Sequence, residues 1–194
     1  MSLLPSRDLE SALIDIALTS PWYRKALDAV AGLGLRSWCV GAGAVRNLVW
    51  DHLHGYTMPS PLADVDVAYF DADDLSPTTE ARLQAALTAA CPDLPWEVTN
   101  QAGVHLWYER YFGDQVAPLE SIEAAVATWP ETATSVALTV APDGTPHVIA
   151  PCGLEDLFGM VVRRNPTRVS IARYHERIAT KQYAERWPRV TIVP

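Results

Sequence analysis

Asp64 and Asp66 stand one residue apart in the apolar run Asp64-Val65-Asp66-Val67-Ala68-Tyr69-Phe70. Residues two apart on a β-strand share a face, so the two carboxylates would lie side by side and repel each other. A divalent cation that prefers hard oxygen ligands, Mg²⁺ or Mn²⁺, answers that repulsion. Upstream, Ser37-Trp38-Cys39-Val40 leads into Gly41-Ala42-Gly43-Ala44-Val45-Arg46-Asn47, which reads as a short strand, a small-residue turn and a helix start. Small residues let backbone N–H groups approach a phosphate closely, and a helix N-terminus favours the anion. Gly41, Ala42 and Gly43 are therefore candidate phosphate contacts, and Arg46 in the first helical turn can add a charge-assisted hydrogen bond. A phosphate cradle beside a metal-binding acid pair points to nucleotide chemistry, in which the metal activates an attacking oxygen and stabilises leaving pyrophosphate.

Other chemistries find less support. The turn lacks the lysine of a P-loop and the last glycine of a dinucleotide-binding fingerprint. Thr132, Thr134 and Ser135 have no nucleophile-elbow motif beside them, which argues against covalent hydrolysis. His52 and His54, two apart on a helix, diverge and do not form a metal pair. Asn100, Gln101 and His105 form a polar cluster after the run Trp96-Glu97-Val98-Thr99; the amides suit a base edge or a ribose, the imidazole a phosphate. Trp38, Trp96, Trp107 and Trp129 read as core residues or cleft walls.

The elements that must position these groups follow from periodicity. A first helix opens at a Ser6 cap and a second at Pro21, ending at Gly32 and Gly34. Strands are expected at 38–40, 64–70 and 96–99, with helices after Gly43 (stopped by Gly55) and after the Ser76-Pro77 cap. In the central strand Val65, Val67 and Tyr69 would face the packing helices and both aspartates the other way. Further on, 119–129 reads as helix, 134–140 and 147–150 as strands around Pro142-Asp143-Gly144, and 153–162 and 169–186 as closing helices. The pattern predicts an α+β fold with an α/β nucleus, a small mixed sheet flanked by helices. One domain over 1–194 is expected, with N-terminal helices over 6–33 and a C-terminal helical extension over about 153–187.

Composition sets outer bounds. The chain carries a net charge of −8, which argues against a surface for long nucleic acid. From Arg163 to Pro194, seven Arg and one Lys face two Glu, a local +6 that leaves −14 elsewhere. On the last helix Arg173, Arg177 and Lys181 recur every fourth residue, a stripe expected to be a solvated face. Cys39, Cys91 and Cys152 lack metal-ligand spacing and read as reduced thiols of a cytoplasmic protein. Neither a membrane-spanning run nor a secretion signal is expected.

The residues Val40-Gly41-Ala42-Gly43-Ala44-Val45-Arg46-Asn47, followed by Asp64-Val65-Asp66-Val67, resemble the signature of the polymerase-beta-type nucleotidyltransferase superfamily. Gly43-Ala44-Val45-Arg46-Asn47 is similar to the Gly-x-Val-Arg-Asp motif of tRNA CCA-adding enzymes, with Asn for Asp and a longer stretch to the first carboxylate. The chain also resembles a bacterial family of nucleotidyltransferase-like proteins of unassigned substrate. That likeness is carried by the segments 64–71, 96–102, 129–134 and 150–158 and by His105. It implies a two-metal site of three carboxylates and transfer of a nucleoside monophosphate from an NTP to an acceptor, with release of pyrophosphate. The third acid belongs on the strand after the pair, which selects Glu97 as ligand or general base, with Glu131 and Asp114 as alternatives. The acceptor stays open between small molecule, protein and RNA end. The competing expectations are a catalytically weak nucleotide sensor of the same fold, or a phosphohydrolase using the same acids.

Overall fold

The computed structural model describes residues 6–194. Residues 1–5 and the side chains of Ser6, with its expected capping role, and Arg7 lie outside what is described. Two helices, α1 (Ser6–Thr19) and α2 (Pro21–Ala31), precede β1 (Trp38–Gly41) and α3 (Gly43–His54). Then follow β2 (Val65–Tyr69), α4 (Pro77–Ala90), β3 (Trp96–Asn100), a short 3₁₀ turn, α5 (Val104–Phe112) and α6 (Ile122–Val126). The chain closes with β4 (Ala137–Val140), β5 (Pro146–Ile149), α7 (Glu155–Phe158), β6 (Val161–Val162), α8 (Ile171–Lys181), α9 (Tyr183–Arg186) and β7 (Thr191–Ile192). The five-stranded sheet runs β3-β2-β1-β4-β5; β2 and β3 are parallel and the other pairs antiparallel. This is the mixed sheet flanked by helices that the sequence predicts.

Strand alternation sorts side chains to two faces. Trp38, Val40, Val65, Val67, Tyr69, Trp96 and Val98 enter the main core, together with Leu13, Leu27, Val45, Val49 and Leu87 from the helices. On the other face Cys39, Ala68 and Ala137 pack against Ile122 and Val126 of α6 in a much smaller core. That second apolar patch stops short of one end of the strands, and the face it leaves bare is where Asp66 and Glu97 emerge. Punctuation falls where expected: Gly55 takes a left-handed φ of 70° at the end of α3, and the Ser76 hydroxyl accepts from the Thr78 N–H.

Five segments depart from expectation. Helix α5 was not anticipated, because Val104-His105-Leu106-Trp107-Tyr108 carries apolar or aromatic residues all round rather than as a stripe. The helix over 119–129 shortens to Ile122–Val126, and β4 begins only at Ala137. Thr134 and Ser135 are instead buried in a turn, where the Ser135 hydroxyl donates to the carbonyls of Trp129 and Glu131. The expected helix over 153–162 ends at Phe158; Met160 turns left-handed (φ 53°) and β6 pairs in parallel with β7. The last helix breaks at Gln182 (φ 49°), which turns Tyr183 and Trp187 into the core. Among the described residues no helix is long and apolar enough to cross a membrane.

Candidate active site

Register brings the acids together. Asp66 of β2 pairs with Glu97 of β3 on one side and with Gly41 of β1 on the other. Asp64 stands just before β2. All three carboxylates line one cavity of about 490 Å³, whose walls also include Ala42, Gly43, Arg46, Gln101, Arg177 and Lys181. Among the described residues none of the three acids makes an ion pair or a side-chain hydrogen bond. Burial, then the charges of Asp64 and Glu97, push the Asp66 carboxyl from 3.8 up to about 7, against the pull of Arg177 and Lys181.

These are hard oxygen donors under mutual repulsion, the donor chemistry that Mg²⁺ or Mn²⁺ accepts. No cluster of three or more His, Cys, Asp or Glu residues forms a metal cage among the described residues. Mg²⁺ commonly takes only one or two carboxylates and leaves the remaining positions to water and substrate phosphate. The residues fit a metal held jointly with a nucleotide.

The turn after β1 divides its work. Gly41 does not line the cavity: a methyl group there would come within 2.5 Å of the Ala137 Cβ and 2.8 Å of the Trp129 ring. Its lack of a side chain lets Trp129 lie on the sheet beside Asp66. Ala42 takes φ 52°, and its N–H is already bonded to the Val136 carbonyl at 3.0 Å. Gly43 opens α3, so its N–H has no acceptor within the helix. It faces Asp64 across the cavity, where a methyl group would find the Asp64 Oδ1 at 3.8 Å.

Arg46 is 4% exposed and has no acidic partner within ion-pair distance among the described residues. It donates to the Thr134 hydroxyl at 3.2 Å, to the Tyr183 hydroxyl at 3.4 Å and to the Asn47 Oδ1 at 2.8 Å. Its guanidinium carbon lies 4.8 Å from the Tyr183 ring centre and within 5.8 Å of those of Trp50 and Trp187. Asn at position 47 hydrogen-bonds the guanidinium without neutralising it. The charge therefore stays available to an anion in the cavity.

Of the basic stripe expected to be solvated, Arg177 and Lys181 instead line the opposite wall, while Arg173 lies outside this cavity. Glu131, 1% exposed, accepts from the Arg177 Nε and, at 3.2 Å, from the Tyr183 hydroxyl. That ion pair turns Arg177 inward, and Lys181, one turn further along α8, lines the same cavity. Burial raises the Tyr183 hydroxyl to about 12, so it remains a donor. Glu131 is thereby committed to Arg177, and Asp114 to Arg173 at 3.3 Å, which leaves Glu97 as the acid beside the aspartate pair. Arg177 and Tyr183 were not singled out as site residues; the every-fourth-residue spacing and the lone acid after Trp129-Pro130 were the available signals.

Of the polar cluster, only Gln101 reaches the cavity. Asn100 is fully engaged in structure: its amide donates to the carbonyls of Asp71 and Asp74, and its oxygen accepts from the N–H groups of Asp71 and Ala102. His105 lines neither this cavity nor the one beside it. The stretch before Asp64 is a loop pinned where the Ser60 N–H and hydroxyl donate to Asp51, so its length does not displace the acids.

A mixed sheet bearing an acid pair and a third acid on the next strand, with a helix start facing them, defines a nucleotidyltransferase-type fold. The model of a family described as Nucleotidyltransferase matches residues 28–192, and the chain belongs to that family. It is similar to a solution structure described as revealing a CCA-adding enzyme head domain, at 26% identity and a TM-score of 0.77, covering 96% of this chain and 95% of that one. It shares its fold with the Thermotoga maritima CCA-adding enzyme complexed with tRNA (13% identity, TM-score 0.57), covering 95% of this chain and 42% of that one. A CCA-adding enzyme in complex with CTP is similar at 12% identity and a TM-score of 0.57, covering 100% of this chain and 44% of that one. The chain thus spans less than half of either full enzyme. No curated protein matches it in sequence.

Proposed function

We propose that the protein transfers a nucleoside monophosphate from an NTP to an acceptor hydroxyl in the cytoplasm. The observation that carries this is one cavity with three acids on its sheet wall and a buried arginine opposite, none of which has an ionic partner among the described residues. Asp64 and Asp66 would hold Mg²⁺ or Mn²⁺, with Glu97 as the third acid; when bound, the metal would supply neutralisation of the carboxylates and phosphates and stabilise charge on the leaving group. The Gly43 N–H, the positive end of α3 and Arg46 hold the phosphates. Arg177 and Lys181 face the same anion from α8. Gln101 is placed to hydrogen-bond the nucleoside. Glu97 accepts or orients the proton of the acceptor hydroxyl, whose oxygen attacks the α-phosphorus while the bond to the β-phosphate oxygen breaks and pyrophosphate leaves.

The test is thermal unfolding with each of the four NTPs, with and without Mg²⁺ or Mn²⁺, on the wild type and on Asp64→Asn/Asp66→Asn. Metal-dependent stabilisation that disappears in the double variant is the expected result. Equal stabilisation of both proteins would overturn the assignment of the acids.

A further inference from the structure

A second cleft, of about 600 Å³, adjoins the carboxylate cavity and shares Thr99, Gln101, Trp129 and Lys181 with it. It lies past Glu97: Thr99 follows Glu97 on the same face of β3 and Gln101 comes next, whereas Gly43 and Arg46 line only the first cavity. One wall is α5, which presents Trp107, Tyr111 and Phe112 at 36%, 71% and 43% exposure. Rings of this size grouped at the mouth of a polar cavity mark a contact surface. The facing wall supplies cations. Arg168 lies over the Tyr108 ring at 5.6 Å and Arg173 over Phe112 at 5.0 Å. Arg173 is paired with Asp114, but Arg168 and Lys181 have no acidic partner within ion-pair distance among the described residues. Such a combination of aromatic faces and unspent positive charge recognises a planar ring that carries an anion.

We propose, building on nucleotidyl transfer at the neighbouring acids, that this cleft seats the acceptor and that the acceptor is a small anionic aromatic molecule. Its ring lies against Trp107 and Tyr111, its phosphate or carboxylate meets Arg168, which lines only this cleft, and its hydroxyl points toward Glu97. Charge distribution selects a small molecule over a polymer. Arg168, Arg173, Arg177 and Lys181, half of the cations in residues 163–194, line the cleft with one acid, Glu176, while the chain outside that segment carries −14, a field that repels a polyanion running on beyond the cleft.

The test is calorimetric titration of the full chain with 1-naphthyl phosphate, cyclohexyl phosphate and a tetra-adenylate RNA. The variants Trp107→Ala, Tyr111→Ala and Arg168→Ala touch only the second cleft. Naphthyl phosphate is expected to bind at least ten-fold more tightly than cyclohexyl phosphate, to lose at least five-fold in each variant, and to bind together with Mg²⁺-NTP. Equal binding of the two phosphates, indifference to all three variants, mutual exclusion with Mg²⁺-NTP, or RNA binding more than ten-fold tighter than naphthyl phosphate would each overturn the proposal. If NTP with metal gives no thermal shift while naphthyl phosphate still binds and is lost in the variants, the transferase reading fails and the cleft stands as a binding site.

Discussion

Asp66 and Glu97 reach their cavity from neighbouring strands of one sheet, with Asp64 just ahead of the first, whereas Arg46, Arg177, Lys181 and Tyr183 reach it from three separate helices. On the sheet wall, strand register sets Glu97 against Asp66, and among the described residues none of the three acids has an ionic partner. On the helical wall the charges are cross-linked: Glu131 joins Arg177 to Tyr183, and Tyr183 accepts from Arg46. The acidic wall keeps the repulsion that a cation relieves, and the basic wall is fixed before any anion arrives. Preorganised positive charge of this kind needs no rearrangement when a phosphate binds.

The largest effect expected from breaking this contrast lies on the acidic side. Asp66→Asn keeps shape and removes charge, so Mg²⁺-dependent NTP affinity should fall by at least about 100-fold, the upper range for groups that merely support a metal ligand. Titration of NTP with and without Mg²⁺ checks it. Unaltered metal-dependent affinity would mean that the acids only decorate the strand.

On the basic side the expected loss is in stability. Glu131→Ala strands the half-buried Arg177 and removes the acceptor of Tyr183, and breaking a buried pair in this way costs about 3 kcal/mol. Urea denaturation reads it directly. A loss below about 1 kcal/mol would show that apolar packing of Tyr183 and Trp187, not the ion pair, holds the helical wall in place.

The same contrast explains which parts were legible in the sequence. Strand alternation around Val65, Val67 and Tyr69 dictates where Asp66 points, a local fact, and the crossover through α4 lays β3 parallel to β2 with Glu97 opposite Asp66. The inward turn of Arg177 depends on Glu131, 46 residues away in the chain, and no periodicity reports a partner at that distance. Asn100 misled for a related reason: a polar residue at a strand end suits a ligand and suits the loop at Asp71–Asp74 equally well, and the loop uses all of its hydrogen-bonding capacity. Helix α5 escaped because its exposed rings blur the apolar stripe that signals a helix.

The two glycines of the turn sharpen the comparison within the sheet wall. Gly41→Ala forces a methyl group against Ala137 and Trp129 and should cost about 1–3 kcal/mol of stability, as overpacking does. Gly43→Ala meets nothing closer than 3.7 Å and should leave stability within about 0.5 kcal/mol while crowding the phosphate and weakening NTP binding. Denaturation and titration of both variants separate the roles. Equal stability losses would merge them.

The smallest effect is carried by a proton. Between 3.8 and about 7 the folded chain keeps on Asp66 a proton that the unfolded chain has released. The native state binds more protons there, so metal-free stability is greatest below that window and falls as pH rises through about 7. Water at the open cavity mouth screens part of the repulsion, and a loss of about 1–2 kcal/mol is expected. Asp66→Asn has nothing to titrate and should be more stable than the wild type above pH 7 without metal, with the difference vanishing near pH 4. Urea denaturation of both proteins in metal-free buffer across that range isolates the term from all other titrating groups. Parallel pH profiles would mean that Arg177 and Lys181 already offset the charge of Asp66, so that the basic wall neutralises the acidic one before any cation binds.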